Sequence, residues 1–512
     1  MPAPAAAPER TSLPAAGASR AGPSPWSPQV TTTGKAAPAP ARAAGAPSGA
    51  ILAVVCLAQF MVILDVAIVN LALDRMGESL AMGPAELQWV VNAYTIVFAG
   101  FLLLGGRTAD LFGRKRMFLT GLTVFTMASL VGGFAPNAGT LIAARAVQGL
   151  GGAILAPTTL TVLVTTFTDP KQRGRAIGLW SAVAASAGAI GSLAGGVLTD
   201  LLSWRWVLFC NVPLGVLLFA GAAWALTESA PAAGARRRLD VTGAVTVTAG
   251  LATLVYGIVG VREHPFLSAP VLVPIGVGVL LLAVFLVVET RAAEPIMPPG
   301  FFRHRNVALA NVIALVGGTA MVSMFFFLSL FLQQVLGYRP IEAGLAFLPL
   351  SIGIVAGSGV STKLLPGTGP RLPLVAGGVV AAAGLLWLSR TPADATFLVD
   401  LLAPTVLIGL GIGIVMVPIT AAATSGIPPA QAGLASGVIS STRQLGGAIG
   451  LATLVTAAVA HASHLAEAGR SPAVALAAGY DRGFLLAAVL IGVGTVVSLL
   501  TPGRPATPAT AG

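Results

Sequence analysis

The stretch ILAVVCLAQFMVILDVAIVNLAL, Ile51 to Leu73, decides the fold class. It is apolar along almost its whole length. As an α-helix it would rise about 34 Å, enough to cross a hydrocarbon core of about 30 Å. One carboxylate, Asp65, stands inside it. A charge at that depth costs at least about 2.5 kcal/mol on insertion scales, so an acid kept there points to function. The expectation is a membrane transporter in which Asp65 carries a coupling proton.

Composition extends this reading to the whole chain. Of 512 residues, 55% are hydrophobic and 9% charged, with a mean hydropathy of +0.88. Soluble domains carry about 25% charged residues. So many apolar side chains cannot be hidden from water in a soluble core, and an all-α integral membrane protein is expected. The net charge of +11 would suggest nucleic acid in a soluble protein. Here the basic residues sit in short loops, as topology control requires, and no nucleic-acid partner is expected. Cys56 and Cys210 both lie inside apolar runs, which predicts buried free thiols and neither a disulfide framework nor a metal site.

Fourteen apolar spans are predicted, near residues 51–73, 88–106, 117–135, 140–167, 174–199, 205–227, 241–261, 267–288, 306–332, 341–361, 371–389, 396–420, 433–460 and 483–501. Residues 1–48, rich in Ala, Pro, Gly and Ser, read as a disordered cytoplasmic tail without a secretory h-region. Residues 503–512 read as a second cytoplasmic tail. With both termini inside, 20 of the 29 Lys and Arg fall in inner segments. Seven fall in outer loops: Arg75, Arg205, Arg262, Arg339, Arg390, Arg470 and Arg482. The positive-inside rule supports that orientation in a cytoplasmic membrane.

An internal repeat is also visible. Gly178, Gly188 and Gly191 of IGLWSAVAASAGAIG align at a constant offset with Gly437, Gly447 and Gly450 of SGVISSTRQLGGAIG. Two related halves are a common transporter plan. The expected organisation is a six-helix bundle over residues 49–229, two inserted helices over 230–290, and a second six-helix bundle over 291–502.

Three further motifs bear on mechanism. GRTADLFGRKR, Gly106 to Arg116, places an acid, a glycine and a basic triplet between spans two and three. Asp110 can cap a helix or pair with an arginine. Gly113 allows a tight turn, and Arg114, Lys115 and Arg116 anchor it at the inner surface. In LIAARAVQGLGGA, Arg145, Gln148, Gly149 and Gly152 share one helical face, which aims a buried arginine into the bundle beside small residues. In span five, Ala184, Gly188, Gly191 and Gly195 form a small-residue stripe for close helix packing.

These motifs resemble those of the major facilitator superfamily. Gly106, Asp110, Gly113, Arg114 and Lys115 match its helix 2–3 loop pattern G-x-x-x-D-x-x-G-R-[RK]. The resemblance implies a conformational switch that locks the inward-closed state. Arg145 and Gly149 match the helix-four R-x-x-x-G, where the arginine is tied to proton movement. Gly191, Gly195 and Gly196 match the antiporter motif G-x-x-x-G-P-x-x-G-G, with Ser192 at the proline position. LDVAIVNLAL, QWVVNAY, SWRWVLFCNVPLG, AGLAFLP and RQLGGAIG are similar to stretches of the fourteen-span drug:proton antiporters.

The resemblance implies the major-facilitator fold, two six-helix bundles plus two extra helices. It also implies proton-coupled export of a drug or antibiotic by alternating access. Deprotonated Asp65, exposed inward, is expected to attract a cationic or polar drug, so that proton and drug compete for one site. Asp65 and Arg145 are the expected coupling residues. Asn70, Trp89, Asn92, Tyr94, Gln333, Gln334 and Arg443 are candidate substrate contacts. The phenylalanines of MFFFLSLFLQQ, Met324 to Gln334, are expected mainly to face lipid. The partners are a small-molecule drug, protons and the bilayer, with a functional monomer. No cofactor beyond the proton gradient is expected.

A proton-coupled importer of the same fold is the alternative, and a channel is a further one. A membrane enzyme would need acids, His or Cys clustered inside the spans. The histidines His264, His304, His461 and His464 all fall in predicted loops. His461 and His464 form H-x-x-H in an outer loop without an acidic or Cys partner, so no metal site is expected. No Walker-type phosphate loop is present.

Overall fold

The computed structural model describes residues 47–228, 239–261, 264–265, 267–292, 295, 297, 299–424 and 432–501. The two predicted tails and the basic run Arg236 to Arg238 fall outside them. Among the described residues the structure is all-helical. Fourteen helices or helix pairs are long and apolar enough to cross a membrane. All fourteen predicted spans are there. The fold is therefore all-α and integral to the membrane.

The first six spans are α1 (Ser48–Leu80), α2 (Pro84–Phe112), α3 (Arg114–Gly133), α4 (Ala138–Thr166), α5 (Pro170–Leu201) and the pair α6 (Trp206–Phe209) and α7 (Asn211–Ala225). Next come α8 (Val241–Gly260) and α9 (Ala269–Arg291). The last six are α10 (Arg305–Leu330), the pair α11 (Pro340–Ala346) and α12 (Leu348–Thr368), α13 (Arg371–Leu388), α14 (Leu402–Thr424), α15 (Ala432–Glu467) and α16 (Pro472–Ser498). A turn of π-helix, Phe331–Val335, extends α10, and another, Phe397–Leu401, leads into α14.

Packing in the first six spans recurs in the last six. α1 packs on α5, α4 on both α2 and α3, and α3 on α7. In the same order α10 packs on α15, α14 on both α12 and α13, and α13 on α16. The glycine alignment between spans five and thirteen thus has a counterpart in three dimensions, since α5 and α15 hold equivalent places. α8 pairs with α9 and lies against α2 and α15, one helix from each half.

Several sequence expectations need correction. The stretch from Gly106 to Arg116 is not a loop. Helix α2 continues through Phe112 and α3 begins at Arg114, so the turn is Gly113 alone. Its φ of 97° is a conformation that favours glycine. α16 starts at Pro472, so Arg482 lies within a helix rather than an outer loop. α15 runs to Glu467 and takes His461 and His464 with it. No group of three His, Cys, Asp or Glu side chains suited to a metal occurs among the described residues. Phe326, Phe327 and Phe331 are at most 1% exposed. They pack between helices because α10 is a central helix, in contact with α14, α15, α16 and α1. Cys56 and Cys210 are free thiols.

Candidate functional site

Asp65 is buried with no exposed surface, and it is not alone. Arg145 of α4 is 2% exposed, and its Nη1 donates to Asp65 Oδ2 at 2.6 Å. Gln148 Nε2 donates to Asp65 Oδ1 at 2.7 Å, and Asn211 Nδ2 of α7 donates to the same oxygen at 2.9 Å. The carboxylate therefore accepts from three donors on two helices.

The arginine is held as firmly. Its Nη1 also donates to Gln148 Oε1 at 2.7 Å, and its Nε donates to the Val90 carbonyl of α2 at 3.2 Å. Its guanidinium carbon lies 4.4 Å from the centroid of the Tyr94 ring, a cation–π placement. Ser129 Oγ of α3 accepts from Gln148 Nε2 at 2.6 Å. Groups from five helices, α1, α2, α3, α4 and α7, thus meet in one network around the Asp65–Arg145 pair.

Local sequence explains the convergence. Arg145 and Gln148 are one turn apart and face the same way. At Gly149 a Cβ would stand 2.5 Å from the Tyr94 carbonyl oxygen. The missing side chain lets α2 approach α4 and slides the Tyr94 ring against Arg145. Asp65 and Arg145 together form a charge-neutral unit, which is how a charge is tolerated at this depth.

One expectation fails here. Asp65 is neither stranded nor open to a cationic ligand: it is fully enclosed and its charge is already matched by Arg145. Direct competition between proton and drug for this carboxylate does not fit. Sequence reasoning placed Gln148 beside Arg145 but missed Ser129 and Asn211. Single small polar residues inside apolar helices carry no local signal of such a role.

The glycines of α5 divide along the helix. A Cβ at Gly191 would stand 2.8 Å from Ala67 Cβ, and one at Gly195 would stand 2.8 Å from the Ile68 carbonyl. Both therefore lie against α1, next to Asp65 in sequence. Gly196 lies against Pro340 and Ile341 at the start of α11. Gly188 has nothing within 4 Å and is not a close-packing position. Ser192 donates its hydroxyl to the Gly188 carbonyl at 3.0 Å.

The end of the bundle where α1 finishes, here the apical end, is sealed between the halves. Arg339 Nη2 pairs with Asp200 Oδ2 at 2.6 Å. Gln334 Nε2 donates to Asp74 Oδ1 at 2.8 Å, and Tyr480 Oη donates to Gln334 Oε1 at 2.7 Å. Ser329 Oγ donates to the Asn70 carbonyl at 2.7 Å. Toward the opposite, basal end the α5 glycines Gly174 and Gly178 have nothing within 4 Å, and neither do Gly359 and Gly367 of α12.

The remaining candidates lie outside the Asp65 network. Asn70 and Asn92 are buried, and Gln333 is 7% exposed with its Nε2 on Ser329 Oγ at 3.0 Å. Trp89 is half-buried against the α8 cluster. Arg443 is half-buried on α15, with its carbonyl against Gly318 of α10. In the basal turn, Gly106 lies in α2 against Pro157. Arg114 opens α3, and Asp110 lies in the last turn of α2. Lys115 Nζ donates to the Ala223 carbonyl at the end of α7 at 2.5 Å, and the Glu228 carboxylate lies against Gly113.

Comparison with known proteins agrees with this architecture. The profile of the Major Facilitator Superfamily matches residues 55–451. The chain is 43% identical over 457 residues to the cephamycin export protein CmcT of Amycolatopsis lactamdurans, covering 89% of this chain and 92% of that one. It is 41% identical to the puromycin resistance protein pur8 of Streptomyces alboniger, covering 88% and 90%. Among solved structures, a bacterial homologue of the human lysosomal transporter Spinster superimposes with a TM-score of 0.63 at 14% identity, covering 88% of this chain and 96% of that one. Fold, family profile and relatives agree: this chain is a membrane transporter, not an enzyme, and belongs to the Major Facilitator Superfamily.

Proposed function

We propose that this transporter exports an antibiotic or related drug across the cytoplasmic membrane in exchange for protons. Export is supported by the relatives named for cephamycin export and puromycin resistance. The basal end, with its excess of Lys and Arg, is the cytoplasmic face, with both termini there. The seal at the apical end supports reading this as a state that receives cargo from inside. The protein works as a monomer by alternating access.

The observation that carries proton coupling is the buried Asp65–Arg145 pair. Protonation of Asp65 removes the charge that holds Arg145 and leaves one acceptor fewer for the surrounding donors. The unit is then mismatched, and the hold of α4 and α7 on α1 weakens. α1 transmits the change because the same rigid helix carries Asn70 and Asp74, both bonded to the second half across the apical seal. Proton and drug are thus linked through the helix and not through a shared contact. One charge moving through 100 mV supplies about 2.3 kcal/mol. At about 1.4 kcal/mol per decade that sustains a gradient of roughly 50-fold.

The test is uptake into everted membrane vesicles, with puromycin as probe and a respiration-driven proton gradient. The wild type accumulates puromycin and stops when a protonophore is added. Protonophore-insensitive uptake would end the antiport reading.

A further inference from the structure

Helix α2 buries two amide side chains that hold nothing. Gln88 and Asn92 stand one turn apart on one face, each with 0% exposure. Neither the oxygen nor the nitrogen of either side chain has a hydrogen-bond partner among the described residues. On α1, Asn70 donates its amide to the Val66 carbonyl at 2.8 Å, but its Oδ1 is buried without a partner. Buried amides are nearly always paired, and an unpaired one forfeits its hydration for no return.

Their surroundings span the two halves. The neighbours Val69, Leu87 and Val91 share one apolar cluster with Met324 and Phe327 of α10 and Leu451 of α15. Helix α2 packs on α15 of the second half, and the Asn70 carbonyl accepts from Ser329 of α10, so the amides lie on helices that border the seam between the halves. They lie on the apical side of Asp65: Asn70 follows it by little more than a turn, and α2 starts at the apical end. Each amide offers both a donor and an acceptor and no charge. That chemistry matches neutral amide, carbonyl and hydroxyl groups.

We propose that Gln88 and Asn92, with Asn70 Oδ1, form a hydrogen-bonding station for the neutral polar groups of the cargo, engaged as the apical seam opens. This rests on the export reading above. A cargo with such groups pairs the amides on its way out, and one offering only charge and apolar surface leaves them unpaired, so the station sorts cargoes.

The test compares two cationic probes in everted vesicles. Puromycin carries amide and hydroxyl groups, and tetraphenylphosphonium carries no hydrogen-bonding group. The variant is Gln88→Leu/Asn92→Leu. Its thermal midpoint should equal or exceed that of the wild type, because no bond is lost in the apical-closed state. The ratio of puromycin to tetraphenylphosphonium transport should fall about tenfold. If the double variant is not recovered from membranes, the single variants give the same ratio. A ratio within twofold of wild type overturns the station while export stands. So does a wild type that moves tetraphenylphosphonium but not puromycin. A wild type that moves neither removes the export reading, and the station with it.

Discussion

Arg145 Nη1 lies 2.6 Å from Asp65 Oδ2, and both side chains are withdrawn from solvent inside the first half of the transporter. A pair of this kind is costly to form and more costly to break. Its partners across α1, α2, α3, α4 and α7 make it the electrostatic centre of that half.

Removing one partner should therefore damage the fold more than removing both charges. Arg145→Ala leaves Asp65 buried and uncompensated, and should lower stability by about 3–5 kcal/mol. Asp65→Asn/Arg145→Gln keeps the shapes without the charges and should recover much of that loss. Thermal unfolding of purified protein in detergent measures both. Equal stability of the single and double variants would mean that the charges are not coupled.

Close approach of α1 and α5 gives a second expectation. Gly195→Val places a branched side chain against the Ile68 backbone. Overpacking of this kind costs about 1–3 kcal/mol, and here it also pushes on the helix that carries Asp65. Gly188→Val, with nothing within 4 Å, should be tolerated. Expression level and thermal midpoint distinguish the two positions.

How much of this could be read beforehand depends on the range of the interaction. The fourteen spans were legible because long apolar runs have few alternatives in water. Helix ends were less so: α16 absorbs Asp481 and Arg482, which lower local hydropathy without ending the helix. Asp65 was conspicuous as an acid in an apolar run, and Arg145 by sharing a face with Gln148. Their pairing was not legible, because it depends on how α1 docks on α4, 80 residues away. Gly188 and Gly191 look alike in sequence, yet only Gly191 meets α1. Gln88 drew no notice beside the aromatic residues of QWVVNAY, since an unpaired amide is visible only once its neighbours are known.

The apical seal should respond according to how exposed each partner is. Arg339 is 62% exposed and Asp200 only 6%. An ion pair fully open to solvent contributes about 0.2–1 kcal/mol, or up to about fivefold; because Arg339→Gln leaves the nearly buried Asp200 carboxylate without its partner, it should shift the balance toward the apical-open state by more than that. Adding Gln334→Ala removes the bridge between Asp74 and Tyr480 and should shift it further. Spin-label distances between Leu201 and Leu398, both exposed, report the two populations. A distribution unmoved in the double variant would place the seal elsewhere.

At Gly113 the positive φ and the adjacent Glu228 carboxylate leave no room for a side chain. Gly113→Ala should cost about 1 kcal/mol or more and slow transport by disturbing the α2–α3 turn. Glu228→Gln should not reproduce the folding defect. Thermal midpoints and vesicle uptake rates of the two variants test this.

The most direct measurement is proton movement on addition of puromycin to everted vesicles carrying a proton gradient, followed with a pH-sensitive dye. Wild-type vesicles should release protons when the antibiotic is added. Vesicles with Asp65→Asn, matched for the amount of folded protein, should release none. Release at the wild-type rate from the Asp65→Asn variant would contradict the assignment of the proton to Asp65.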